Sequence, residues 1–467
     1  MRPTPVREGP PLLVGDAGVS PPGRRRIHWP PLPVSAALVA SVLVAACATW
    51  GGWLSAHGID LHLGGLVLAA TWAPRFPAAA LGAVVLGVML ARYAIGWADR
   101  ARWPLLLAGS GLLSAGWALA LAVTDGTSAL SAPLRTRWEY LHDVHRVGGL
   151  RPFLSTFTEH ILGGSPGFQW VTHVSGHPPG VLLAFVGLDR LGLGAPGWAA
   201  ALCITAGASA VPAVLLTLRL LADEPAARAA APFVALSPPV LWIATSADAL
   251  FLGVSAWGVC LLAYAASRRD RRGDLLAVAG GVLLGFTLFL SYGLTLVGLL
   301  AFAVVVVQRR IRPLLFAAPA VALVVGGFAG EGFWWVHGLA VASARVREGP
   351  AWIDRPTTYF LVANLATLAI AVGPATVGAL AMVGAGARDR LGGLLGRAVV
   401  LPTAALGAVL LACVSNLSKG EVERIYLPFE LWLLAATAVL PARGRRRWLA
   451  VQLGLALALQ LVFRLRW

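Results

Sequence analysis

Apolar runs of about 20 residues, the length that crosses a bilayer as one helix, recur from end to end of this 467-residue chain. Hydrophobic residues make up 58% of it and charged residues 12%, too few to clothe a water-soluble domain of this size. The chain therefore reads as an all-α polytopic membrane protein. We expect about thirteen transmembrane helices, over 33–54, 76–97, 103–124, 197–219, 228–245, 247–267, 274–292, 293–308, 313–330, 357–383, 398–416, 427–441 and 447–465. Cys47, Cys203, Cys260 and Cys413 fall inside apolar runs with no paired spacing, so they read as helix packing rather than a disulfide framework or a zinc site.

The formal charge of +16 would suggest nucleic acid in a soluble protein, but here the arginines stand in short blocks between apolar runs. They read as topology signals, and no nucleic-acid partner is expected. With the N-terminus cytoplasmic, the blocks at 23–26, 98–102, 268–272, 308–312, 387–390 and 443–447 all fall on one side. The chain is thus expected to be multi-pass in the plasma membrane. Residues 1–32, rich in Pro, Gly and Arg and without a cleavable-signal pattern, are expected to form a disordered cytoplasmic tail. Residues 178–193 begin with two prolines and carry Asp189 and Arg190, so we expect an interfacial or re-entrant helix there.

This threading leaves three polar segments on the outer face: 125–196 after the third helix, 331–356, and 416–426. The stretch 125–178 of the first holds five of the nine histidines, four arginines and, among its acids, Glu139, Asp143 and Glu159. Glu139 and Asp143 are spaced to share one face of a helix, with Tyr140 beside them and Arg146 three residues beyond. Such a carboxylate, near cations at a membrane surface, could take a proton from a hydroxyl; the same spacing also suits a surface helix whose acids balance its arginines. His173 and His177 have a metal-binding spacing, but Gly176, Pro178 and Pro179 break the helix that would use it. A turn presenting His177 to a polar ligand, or an ordinary hydrogen-bonded interfacial histidine, fits better. In the second segment Trp334, Trp335 and Trp352 form either an aromatic belt or platforms for sugar rings.

The third segment, NLSKGEVERIYLPF, packs Lys419, Glu421, Glu423 and Arg424 between two apolar runs, and Lys419 is the only lysine in the chain. An ionised group at the bilayer centre costs about 2.5–3.5 kcal/mol, so these must lie at the surface, pair, or line a wet cavity. Pairing would join Lys419 to Glu423 and Glu421 to Arg424 at helical spacing. Alternatively Lys419 and Arg424, with Tyr426 after them, suit a phosphate at headgroup depth.

WEYLHDV (138–144), HVSGHPPG (173–180), the run 219–272, VAGGVLLGFTLFLSYG (278–293) and SKGEVERIYLPF (418–429) together resemble the GT-C superfamily. Those are integral membrane glycosyltransferases that use polyprenyl-phosphate sugars. The resemblance is narrower to an actinobacterial branch that includes the methylthioxylose transferases of lipoarabinomannan capping. It covers about 103–441, which makes 33–102 two added N-terminal helices and 103–467 the GT-C-like core, with 125–196 as its extracytoplasmic catalytic loop.

The resemblance implies sugar transfer from a polyprenyl-phosphate donor to a cell-envelope glycan or glycolipid acceptor. The sugar would be methylthioxylose, another pentose or mannose. The base would be Asp143, then Glu139, with Asp60 third. Lys419 and Arg424 would hold the donor phosphate, helped by His177 and Arg146. Tyr140, Asp248, Trp335 and Tyr426 would serve the acceptor or sugar. Asp248 stands where some relatives hold a metal-binding or acceptor-orienting acid, so transfer is either metal-independent or assisted by a divalent cation; we assign no metal ligand. The main rival is a lipid-linked sugar flippase or other polytopic transporter; a polysaccharide polymerase or ligase is another.

Overall fold

The computed structural model describes residues 31–465 apart from 65, 165–166, 245 and 391–393, and without the side chains at 350–351, 387–390 and 394–395. The expected tail lies outside the described residues up to position 30, as do the arginine block at 23–26 and the side chains of the block at 387–390.

Among these residues eight helices are long and apolar enough to cross a membrane, judged by length and composition. They are Leu32–Ala56, Ala78–Arg100, Trp103–Asp125, Pro196–Leu221, Asp248–Ser267, Arg312–Gly330, Thr357–Gly386 and Gly396–Ser415. Each coincides with an expected span. The other five expected spans are helical but shorter, broken or less apolar. Pro238 and Pro239, which have no N–H to donate, split 228–245 into Glu224–Leu236 and Val240–Ile243. Arg271–Thr287 has 17 residues, and Val297–Gln308 has 12 behind a 3-10 turn at Tyr292–Leu296. Leu427–Leu434 tightens into a 3-10 turn at Ala435–Val439. Arg445–Val462 carries two buried glutamines, Gln452 and Gln460.

Asp248–Ser267 is the central helix, buried along most of its length against Pro196–Leu221 and Arg271–Thr287. Its 20 residues rise about 30 Å, one hydrocarbon thickness. At its Ser267 end the blocks at 268–272 and 308–312 meet: Arg310 donates to the Ala266 carbonyl at 3.0 Å, and Arg312 pairs with Asp274 at 2.8 Å. At its Asp248 end lie the polar segments. Residues 123–195 form a succession of 3-10 turns and short helices, among them Gly180–Arg190 where the re-entrant helix was expected. Gly180 docks this helix: its N–H donates to the Phe289 carbonyl at 2.9 Å, and a Cβ there would stand 2.4 Å from that oxygen.

Two further features close the fold. Ala70–Trp72 pairs antiparallel with Phe463–Leu465, Thr71 opposite Arg464, tying the N-terminal helices to the last one. The helix Thr357–Arg390 breaks at Gly373, φ 75°, ahead of Pro374, and Gln452 fills the break by donating to the Val372 carbonyl at 2.9 Å.

Candidate functional site

A buried polar cluster at the Asp248 end joins residues from three distant stretches. The guanidinium of Arg424 donates to Asp248 Oδ2 at 2.8 Å, to Glu421 Oε2 at 2.9 Å and to His173 Nε2 at 3.1 Å. On the other side of the imidazole, Nδ1 lies 2.9 Å from Glu139 Oε1. Glu139, His173, Arg424 and Asp248 are all buried, and Glu421 forms the partly exposed rim. Ser246 caps Asp248 with a hydroxyl at 3.0 Å.

Local backbone explains how these groups arrive. The chain at 139–146 is two successive 3-10 turns, Tyr140–His142 and Val144–Arg146, rather than the one α-helix on which the acids would share a face. The tighter winding makes the two carboxylates diverge. Glu139 points at His173. Asp143 points the other way, accepting from Arg146 Nε and the Val171 N–H, both at 2.8 Å, and is 1% exposed. Both Asp143 oxygens are thus occupied, whereas Glu139 Oε2 has no hydrogen-bond partner among the described residues. Burial alone would raise the Glu139 carboxyl, but its bond and charge interaction with His173, with Arg424 and His177 behind, outweigh it and hold the pKa below the usual range.

His177 sits behind the cluster, its Nδ1 2.9 Å from the His173 carbonyl oxygen and its ring against Tyr140 and Phe251. Burial pushes its pKa down to about 4, so it is neutral at pH 7. Tyr140 packs on both histidines and on Phe185.

The remaining expected site residues lie elsewhere. Lys419 donates to the carbonyls of Trp352 and Arg355 at 2.7 and 2.8 Å and stands 4.8 Å over the Trp352 ring. Arg355 returns a hydrogen bond to the Lys419 carbonyl, so the two segments are strapped together. Of the two pairs expected within 416–429, Glu421 with Arg424 forms. Lys419 with Glu423 does not: Glu423 is fully buried and takes the Ala69 N–H at 2.9 Å. Arg146 lies over Phe168, 4.6 Å from its centroid. Trp335 donates to the Leu288 carbonyl, Tyr426 is buried, and Asp60 pairs with His62 on an exposed turn.

Sequence reading left out His173 as the bridge and Glu421 as the rim. The i+3 spacing of Glu421 and Arg424 signals the second, while nothing in sequence links residue 173 to residue 424. Among the described residues no three His, Cys, Asp or Glu side chains gather as metal ligands. Compared with protein-family models, curated proteins and solved structures, the chain matches none.

Proposed function

We propose that the protein is a glycosyltransferase that moves a sugar from a polyprenyl-phosphate donor to a cell-envelope glycan or glycolipid acceptor on the outer face of the plasma membrane. The observation that supports this reading is the chain Glu139–His173–Arg424, in which an acid with one enclosed oxygen that makes no hydrogen bond among the described residues and a buried guanidinium meet on a single imidazole. Thirteen crossings with a cytoplasmic N-terminus would put this cluster outside, opposite the arginine blocks.

In the proposed reaction Glu139 takes the proton of an acceptor hydroxyl, and that oxygen attacks the anomeric carbon. The bond from that carbon to the donor phosphate breaks, and the electron pair leaves with the phosphate. No acid is needed, because the leaving group departs already anionic and is stabilised by a cation. Arg424 has its N–H groups engaged by Asp248, His173 and Glu421, so the phosphate would take the place of the rim carboxylate of Glu421. Asp143, with both oxygens bonded, holds the turn instead.

One observation favours the transporter reading: Glu430, fully buried in the helix Leu427–Leu434, has neither oxygen hydrogen-bonded among the described residues. Buried intramembrane acids mark ion pathways in transporters. The experiment that separates the two incubates membranes holding wild type or Glu139→Gln with labelled polyprenyl-phosphate pentose or hexose and a glycan acceptor. Transfer in wild type, lost in the variant, supports the enzyme. No transfer, together with movement of labelled lipid across proteoliposomes, overturns it in favour of the transporter.

A further inference from the structure

A cavity of about 290 Å³ opens between the ends of two helices and the turns that follow the first of them. Its floor is apolar, formed by Ala118 and Leu121 near the end of Trp103–Ala122. Its polar wall carries Asp125, Thr136, Gln460 and Arg464.

The charges in that wall do not balance. Asp125 is fully committed: Arg75 grips both its oxygens, Nη2 at 2.6 Å from Oδ2, and Gln460 donates to the same oxygen at 3.1 Å. Arg75 and Asp125 therefore cancel. What is left over is the guanidinium of Arg464, exposed and in no ion pair among the described residues. The lining thus offers one unopposed positive charge above a hydrocarbon floor.

Depth in the membrane follows from the helices. Trp103–Ala122 begins directly after the arginine block at 98–102, and Arg445–Val462 begins within the block at 443–447. The cavity lies at the far ends of both, about 27–30 Å along each axis. It therefore sits at the opposite membrane surface, at headgroup level.

We propose that this cavity binds a membrane lipid by its phosphate, with the Arg464 fork on the phosphate oxygens and the first methylenes of the chain over Ala118 and Leu121. A planar guanidinium matches two phosphate oxygens at once. Asp125, already saturated by Arg75 and Gln460, stiffens the wall without offering the anion a free repelling charge. The phosphate could come from a phosphoglycerolipid or from a prenyl phosphate, and the two share this chemistry. The proposal does not depend on the function assigned to the Glu139 cluster.

The test uses the full chain in detergent with soluble probes: dioctanoyl phosphatidylglycerol and farnesyl phosphate, each against its phosphate-free counterpart, dioctanoylglycerol or farnesol. Binding is read by native mass spectrometry and by thermal shift. At least one phosphate probe should bind ten-fold or more tighter than its counterpart. Arg464→Gln, an exposed position, should remove that advantage; Glu139→Gln should leave it intact. Preference for one phosphate probe identifies the source, and equal binding of both marks a site for the phosphate itself. Phosphate-free probes binding as well as their partners, or an advantage that survives Arg464→Gln, would overturn the proposal.

Discussion

Arg424 and Asp248, 176 positions apart in the chain, meet at 2.8 Å with both side chains almost wholly enclosed. Neither charge would be tolerable there alone. Removing one partner of such a pair typically costs about 3–5 kcal/mol, because the other is left buried and uncompensated. Arg424→Gln should therefore lower the melting temperature sharply, and the double variant Arg424→Gln with Asp248→Asn should recover part of the loss. A double-mutant cycle on the detergent-solubilised protein measures the coupling; strictly additive losses would show that the pair is not the source of the effect.

The two acids of the 139–146 turns should separate in their effects. Glu139→Gln keeps the shape of the side chain but removes the base, so transfer should fall by about 10²–10⁴-fold with little change in melting temperature. Asp143→Asn should do the reverse, loosening the Arg146 and Val171 contacts while leaving measurable turnover in the fraction that folds. Equal loss of activity in both, at equal stability, would remove the distinction.

Glu421 should act as a competitor for the donor phosphate. If the phosphate displaces its carboxylate from Arg424, then Glu421→Gln lowers the KM for the polyprenyl-phosphate sugar several-fold and leaves kcat near wild type. A raised KM would show that Glu421 assists binding instead.

Glu423 gives the protein a pH signature. Burial, reinforced by the neighbouring Glu421 charge and only partly offset by its backbone bonds and by Arg424, raises its carboxyl to about 7. The folded protein thus holds a proton that the unfolded chain releases near 4.5. Stability from this group is fully present below about 4.5, falls as pH rises, and levels off above about 7, a swing on the order of 3 kcal/mol. Glu423→Gln should flatten that part of the melting-temperature profile. An unchanged slope between pH 5 and 7 would reject the assignment.

Gly373 should not accept a side chain. Its φ of 75° disfavours any L-residue, and a Cβ would stand 1.9 Å from Gln452 Oε1. Gly373→Ala is expected to destabilise by more than about 1 kcal/mol, read by thermal melting, with Gln452→Ala in the same chain relieving part of it.

Long apolar runs made the eight candidate spans legible, because period and length alone report them. Where proline pairs or buried glutamines interrupt, as at Pro238–Pro239 and Gln452, the same hydropathy reads as one full span although the backbone is broken or less apolar. The site was half legible for a similar reason. Glu139, Asp248 and Arg424 stand out as charges beside apolar runs, and Glu421 follows from its spacing to Arg424. What joins them is His173, placed by the packing of residues 123–195 onto the helix ends, and spacing carries no trace of a contact across 251 positions. The helical reading of Glu139 and Asp143 failed because short 3-10 turns leave no periodic signature to distinguish them from a single α-turn.

The strap built on Lys419 has a practical consequence. An endoproteinase that cuts only after lysine has one target in this chain, and its amine is clasped by two carbonyls and an indole, 8% exposed. Single-site cleavage into two fragments therefore becomes a clock for how often that clasp opens, readable on a gel, with any ligand that seals the neighbouring cluster slowing it.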